Sequence, residues 1–326
     1  MNAFTYPTPE NTQFDAAIHG AQLTDRTASN AAFFSASGIF MLRRFNRVLC
    51  RVSPEKAAIF ARRLIGTPPR HAPRAWETEL LAKAQSFTLP MGTRDIPVVA
   101  WGQGSTVVLV HSWGGRGTQM GKFVEPLVCA GYRVVSFDLP AHGGAGAGET
   151  DMVECAAVVA AVMREQVDTG HAPVAVIAHS FGVMAALLAS RDHDVRIPNL
   201  VSIGAFEHCR WFIDAAQQHL GLSDDVAARV RNNFEARYAH RVTWDRLSVV
   251  EMLRASRART LVIHDRFDRE IPYEHSYALR SVGSPSNPVD YFPTVGLGHR
   301  RILADSAVIA RAVSHVAGAK NGTNCM

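Results

Sequence analysis

One stretch limits what this chain can become: Val174-Ala175-Val176-Ile177-Ala178-His179-Ser180-Phe181-Gly182-Val183-Met184-Ala185-Ala186-Leu187-Leu188-Ala189. Its first five residues are apolar without alternation, the pattern of a strand covered on both faces. From Phe181 onward the residues are small, apolar and rich in Ala and Leu, as in a helix packed on a sheet. Ser180 falls at the changeover. A strand that turns directly into a helix holds the turning residue in a strained backbone conformation, with its side chain projecting from the sheet edge. Ala178 and Gly182 on either side are small enough to leave room for that turn. The helix start behind Ser180 offers a positive dipole end and a free N–H at Phe181 to a developing oxyanion.

The rest of the chain supplies a sheet for this strand. Residues 86–89 and 96–101, joined through Gly92, read as a hairpin; buried strands follow at 106–110, 132–138, 174–178, 200–204, 260–264 and 289–292. Helical stretches separate them at about 118–130, 151–168 and 181–191, then in an insertion over 207–256, then at 273–281 and 304–317. Such alternation predicts a mostly parallel central sheet flanked by helices, with ligands bound beyond the carboxyl ends of the strands.

Those strand ends carry the informative residues. Strand 106–110 leads into His111-Ser112-Trp113-Gly114-Gly115-Arg116-Gly117, and strand 132–138 into Asp138-Leu139-Pro140-Ala141-His142-Gly143. Strand 260–264 leads into Asp265-Arg266-Phe267-Asp268-Arg269-Glu270-Ile271-Pro272, and the last strand into Gly296-Leu297-Gly298-His299. With Ala178-His179-Ser180-Phe181-Gly182, these loops resemble, in order, the H-G-x, D-x-P-G-H-G, G-x-x-D-x-x-V-P, G-x-G-H and G-x-S-x-G motifs of the α/β-hydrolase superfamily. The resemblance covers about residues 86–318 and implies an α/β-hydrolase fold with 207–256 as a short helical cap.

By that resemblance Ser180 is the nucleophile, His299 its base and Asp268 the acid that orients the histidine, while the N–H groups of Trp113 and Phe181 form the oxyanion hole. Asp265 stands where the motif has Gly and is the competing acid; Asp268 is preferred. Ser112 also replaces a usual Gly and is strained if its φ is positive. Asp138 and His142 read as scaffold. His179 reads as a packing or hydrogen-bonding residue, because its position along the strand points it away from Ser180. Arg116 and Arg266 are either anchors for a substrate anion or members of ion pairs. Trp211, Phe212, Leu220, Val230, Phe234, Tyr238 and Trp244 in the cap either line an acyl pocket or pack the cap onto the core.

The chemistry explains these residue types. A serine hydroxyl is a weak nucleophile until a histidine takes its proton, and an aspartate fixes the tautomer of that histidine. The expected activity is a serine hydrolase acting on a carboxylic ester or thioester through an acyl-enzyme. Two alternatives stand beside it: an acyltransferase using the same triad, and a non-catalytic ligand-binding protein on the same fold. A dehalogenase is disfavoured, since it needs a carboxylate in place of Ser180. The fourteen histidines show no metal-ligand spacing, so no metal and no cofactor are expected.

The N-terminal part lies outside the shared core. Residues 1–30 are polar with Pro7 and Pro9 and read as a mobile tail; 31–85 read as a basic helical extension, and 319–326 as a C-terminal tail. A helix from about Ile39 sets Leu42, Phe45, Val48/Leu49 and Val52 on one face, with Arg43, Arg47 and Arg51 on another. Ser53-Pro54-Glu55 starts a second helix with Ser as N-cap, which stops at Gly66. Residues 43–74 hold nine Lys/Arg against Glu55, a local balance of +8 that leaves −3 for the rest of a +5 chain. Such helices pack on the hydrolase body, form a dimer contact, roof the active site, or lie peripherally on an anionic membrane. No nucleic-acid motif accompanies them. Five scattered cysteines, no secretory pattern and no apolar run of membrane length lead to an expected cytoplasmic location.

Overall fold

The computed structural model describes residues 36–284 and 287–318, so the tails expected at 1–30 and 319–326 lie outside the described residues, as does Cys325. Eight strands form one sheet: β1 Gln85–Met91, β2 Arg94–Trp101, β3 Ser105–Val110, β4 Tyr132–Phe137, β5 Pro173–His179, β6 Asn199–Ile203, β7 Arg259–Asp265 and β8 Val289–Thr294. Their order is β1-β2-β4-β3-β5-β6-β7-β8. The opening hairpin is antiparallel, β2 runs antiparallel to β4, and every later pairing is parallel.

Alternation along the central strands divides the core into two layers. Val107 and Leu109 of β3, with Ala175 and Ile177 of β5, face one side. There they meet Phe123 and Leu127 around helix α4 (Val124–Cys129), and Val308, Ala312 and Val316 of a C-terminal helix described below. Val108, Val110, Val176 and Ala178 face the other side, where α5 (Met152–Asp168) and α6 (Phe181–His193) lie. Successive strand side chains point to opposite faces, so both sides of an uninterrupted apolar run can be buried.

Three departures from the sequence reading have local causes. The helix expected over 118–130 is a tight 3₁₀ segment, Gly117–Phe123, followed by α4. Pro126 lacks the N–H that a continuous α-helix needs to bond the carbonyl of Lys122. A helix not foreseen, α3 (Ala75–Ala82), docks on that segment. Its buried Glu77 accepts from Thr118 Oγ1 at 2.6 Å and lies 3.7 Å from Arg116, which is thereby occupied in an ion pair. The insertion holds α7 (Arg210–Leu220), α8 (Asp224–Arg237) and a 3₁₀ turn, Trp244–Leu247. Its last helix, α9 (Val249–Ala255), packs Val249, Met252 and Leu253 into the α6 layer and so belongs to the body rather than the cap. The short helices α10 (His275–Arg280) and α11 (Gly298–Arg301) flank β8, and α12 (Ser306–Ala317) closes the chain.

The extension rests on the cap. Helix α2 (Pro54–Gly66) sets Ala57, Ala58 and Ala61 against Val226 and Val230 of α8. Small residues let the two backbones approach closely. Ser53 precedes α2 without a side-chain capping bond, so Pro54 at the first helical position is the operative start signal. Helix α1 (Ala36–Val52) turns Asn46 and Cys50 inward, and Asn46 Nδ2 donates to the Leu220 carbonyl at 2.9 Å. The apolar face expected to pack is not the inner one: Phe45, Val48 and Val52 are exposed.

Candidate active site

Ser180 sits where β5 becomes α6, with φ 53° and ψ −119°. A non-glycine residue at positive φ costs about 1–3 kcal/mol and persists only where its surroundings fix it. Here the Ser180 N–H donates to the Ile203 carbonyl at 2.8 Å, and the Ser180 carbonyl accepts from Val183 N at 3.0 Å. The turn is also pressed against β3. A Cβ at Gly182 would lie 2.5 Å from the carbonyl oxygens of Val110 and His111, so no larger residue fits there. Ser180 is buried, only 4% exposed.

The loops after β7 and β8 bring Asp268 and His299 together. His299 Nδ1 donates to Asp268 Oδ2 at 2.7 Å, and both side chains are buried. The other oxygen of Asp268 accepts from the N–H groups of Glu270 and Ile271 at 2.8 and 2.9 Å. Burial alone pulls the imidazole of His299 down, but the charge and hydrogen bond of Asp268 outweigh it, and the pKa lies above its ordinary value. Burial likewise pushes Asp268 up, yet the His299 contact and the backbone donors hold it below the usual carboxylate range. The Nδ1–H bond leaves Nε2 of neutral His299 as an acceptor, the form a general base requires.

Asp265 is otherwise employed. Its Oδ1 accepts from Phe267 N at 2.9 Å, and its Oδ2 from Thr294 Oγ1 at 2.8 Å and Leu297 N at 3.0 Å. It ties the β7 loop to the β8 loop that carries His299 and has no direct bond to the histidine. Arg266, the other arginine considered for a substrate anion, lies over the Tyr273 ring at 5.7 Å.

Two histidines that the sequence did not mark as partners surround the pair. The ring of His179 lies 4.6 Å from that of His299, and its Nε2–H donates to the His299 carbonyl at 2.9 Å. His264 donates to the Ile271 carbonyl at 3.0 Å and stands 3.6 Å from Asp268 Oδ2. Burial lowers the pKa of both, so both are neutral near pH 7. The His179 contact spans 120 residues of chain, whereas His264 reaches Asp268 and Ile271 within one loop.

On the opposite side, the Trp113 and Phe181 rings meet edge to face at 5.0 Å. Among the described residues, no hydrogen bond is made by the backbone N–H of either. The residue at positive φ in the 111–117 loop is Gly114 at 68°, not Ser112, so Ser112 replaces the usual glycine without strain. Leu139 N donates to His111 Nε2 at 2.9 Å, and burial holds the His111 pKa down at about 4. Asp138 accepts from the N–H groups of Gly117 and Gly144 at 2.8 and 2.6 Å, bracing both loops. The buried His142 packs edge-on against Trp113, with ring centres 5.0 Å apart.

Two apolar cavities flank these aromatics. One lies between α2 and α7 and is lined by Leu64, Ile65, Pro69, Trp113, Trp211 and Phe212. The second is lined by Trp113, Phe181, Phe212, Val230, Phe234 and Trp244, with Ile65 again contributing. Of the cap residues considered for this role, Leu220 and Tyr238 line neither; Leu220 is in the core, and the Tyr238 hydroxyl donates to Asp151 Oδ2 at 2.6 Å. Arg62, Glu149, Asp151 and Arg237 also line the second cavity, and the Arg62–Glu149 pair is 2.5 Å long. Among the described residues, no three His, Cys, Asp or Glu side chains converge as a metal site requires.

The sequence model of the α/β-hydrolase fold family matches residues 105–243. The structure resembles an esterase of Pyrococcus furiosus at 17% identity and TM-score 0.57, covering 78% of this chain and 96% of that one. It resembles a membrane phospholipase A, a bacterial virulence factor, at 15% identity and TM-score 0.56, over 94% of this chain and 99% of that one. The thioesterase domain from the curacin biosynthetic pathway matches at 16% identity and TM-score 0.50, over 72% of this chain and 99% of the domain. Among curated proteins no sequence match is found. The chain is a protein of the α/β-hydrolase fold, the expectation drawn from its loop motifs.

Proposed function

We propose that this protein is a serine hydrolase that cleaves a carboxylic ester or thioester with an apolar acyl part. The observation that carries the reading is the buried 2.7 Å bond from His299 to Asp268, with the His299 ring 4.6 Å from that of His179, the residue before the positive-φ Ser180. Ser180 Oγ attacks the carbonyl carbon and gives its proton to His299 Nε2, while Asp268 stabilises the imidazolium. The carbonyl oxygen takes the negative charge and is held by the N–H groups of Trp113 and Phe181, each worth about 3 kcal/mol in such a role. Collapse breaks the bond to the leaving alkoxide or thiolate, which takes the proton from His299. Water, deprotonated by His299, then attacks the acyl carbon; collapse breaks the bond to Ser180 Oγ, which takes the proton back from His299 as the acid is released. The two apolar cavities beside Trp113 and Phe212 support a substrate with an extended hydrocarbon part.

The test is labelling with a fluorophosphonate, mapped by mass spectrometry, on wild type and Ser180→Ala. Adduct on Ser180, absent from the variant, together with a fall of about three to six orders of magnitude in ester turnover, is the expected result. Turnover in Ser180→Ala near that of wild type overturns the assignment.

A further inference from the structure

Helix α1 has three faces. Asn46 and Cys50 point inward onto the cap. A second face carries Met41, Phe45, Val48 and Val52, spaced i, i+4, i+7 and i+11, all exposed: 77%, 53%, 55% and 77%. The third, next to it, carries Arg44, Arg47 and Arg51, with Phe40 in the same row and 72% exposed. No acidic residue occurs anywhere in α1. Among the described residues, no ion pair is made by Arg44, Arg47 or Arg51. Helix α2 continues the patch: Phe60 meets Phe45 edge to face at 5.6 Å, and Lys56, Ile59 and Arg63 are exposed beside it.

A soluble surface rarely keeps so many large apolar side chains contiguous unless something covers them. An apolar row about 17 Å long, free of acids and bordered by arginines that pair with no acid among the described residues, matches the charge and polarity of one occupant. We infer that the outer face of α1 and α2 seats this protein on an anionic lipid surface, with the apolar row among the acyl chains and the arginines among phosphate and carboxylate headgroups. Among the described residues no helix is long and apolar enough to cross a membrane, so the contact is interfacial. Helix α2 also lines both cavities through Ile65, so the element that touches lipid is part of the wall of the candidate site. The inference does not depend on catalysis by Ser180.

The test is co-sedimentation of the full chain with vesicles of phosphatidylcholine alone and of phosphatidylcholine containing phosphatidylserine. Binding is expected on the anionic vesicles, falling steeply with added salt, and little on the neutral ones. A triple Arg44→Gln, Arg47→Gln, Arg51→Gln variant is expected to bind about a hundredfold more weakly, each arginine contributing about fivefold. A triple Met41→Gln, Phe45→Gln, Val48→Gln variant is expected to lose at least about tenfold. The arginine variant should melt as wild type does, because its altered residues are exposed, while the apolar variant gives up the Phe45–Phe60 contact and should melt slightly lower but remain folded. Ser180→Ala should bind as wild type, which separates this inference from the proposed reaction. Wild type that ignores anionic vesicles, or variants that bind undiminished, overturns it. So does a wild-type dimer that the apolar variant converts to a monomer without any vesicle binding, since a second copy then covers the row.

Discussion

At the carboxyl edge of the sheet, Asp265 and Asp268 are fixed by bonds of 2.7–3.0 Å to backbone N–H groups, a threonine and a histidine. In the helical shell above, α2 meets α8 through Ala57, Ala58, Ala61, Val226 and Val230, and the Arg229–Glu55 ion pair between them is exposed. Directional bonds between buried charged groups allow one geometry, as chemistry at a reacting atom requires. Apolar contact between small side chains sets distance but tolerates sliding, and exposed ion pairs contribute at most about 1 kcal/mol. The molecule thus has a rigid floor that suits bond making and a softer roof that suits substrate selection.

Substitutions can break or sharpen that contrast. The largest effect is expected at the floor: Asp268→Asn should lower kcat by about four orders of magnitude by leaving His299 in the wrong tautomer. Its pH profile should change as well. With His299 as the proposed base, kcat/KM of wild type should fall as pH drops through a pKa raised above the ordinary imidazole value. Without the carboxylate, burial dominates and the limb should move to lower pH. Asp265→Asn should instead cost about 2 kcal/mol of stability by thermal melting, with a much smaller loss of kcat. If Asp265→Asn has the larger effect on kcat, the roles of the two acids are reversed.

At the roof, Phe212→Ala should raise KM for a long-chain ester by about 10- to 100-fold while leaving kcat/KM for an acetate ester within a few-fold. An equal loss on both substrates would place Phe212 in the floor. Ala61→Leu should force α2 away from α8 and cost about 1–3 kcal/mol in a denaturation curve, with little change on the acetate ester. The smallest effect concerns a turn between the two regions. Ala141 holds φ 62° where the family motif has Gly, so Ala141→Gly should stabilise by about 0.5–1 kcal/mol. A destabilised variant would show that the Ala141 methyl contributes more than the strain removes.

The floor was readable in the chain because each of its parts is local. Strand 173–179, Ser180 and helix 181–193 are contiguous, and Asp268 and His299 each follow a strand at the point where a parallel sheet exposes loops. The partners of those residues were not readable: His179 reaches His299 across 120 residues, and His264 approaches Asp268 through the curl of one loop. The roof was less legible. Helix α3 is short, with a buried Glu77 that breaks any apolar pattern. In α1 the periodicity revealed an apolar row but not its direction, because spacing is the same whether the row meets protein or something outside it. Both cavities also combine residues 62–69 with residues 211–244, a juxtaposition set by docking rather than by sequence neighbourhood.

The cavity wall has one more consequence. Ile65 and Pro69 come from a segment that precedes the family-matched stretch, whereas Trp113 and Phe181 come from within it. Part of the wall of both cavities is therefore separate in the chain from the loops that carry Ser180, Asp268 and His299. Exchanging residues 54–69 for a different sequence would alter that part of the wall and leave those three loops as they are.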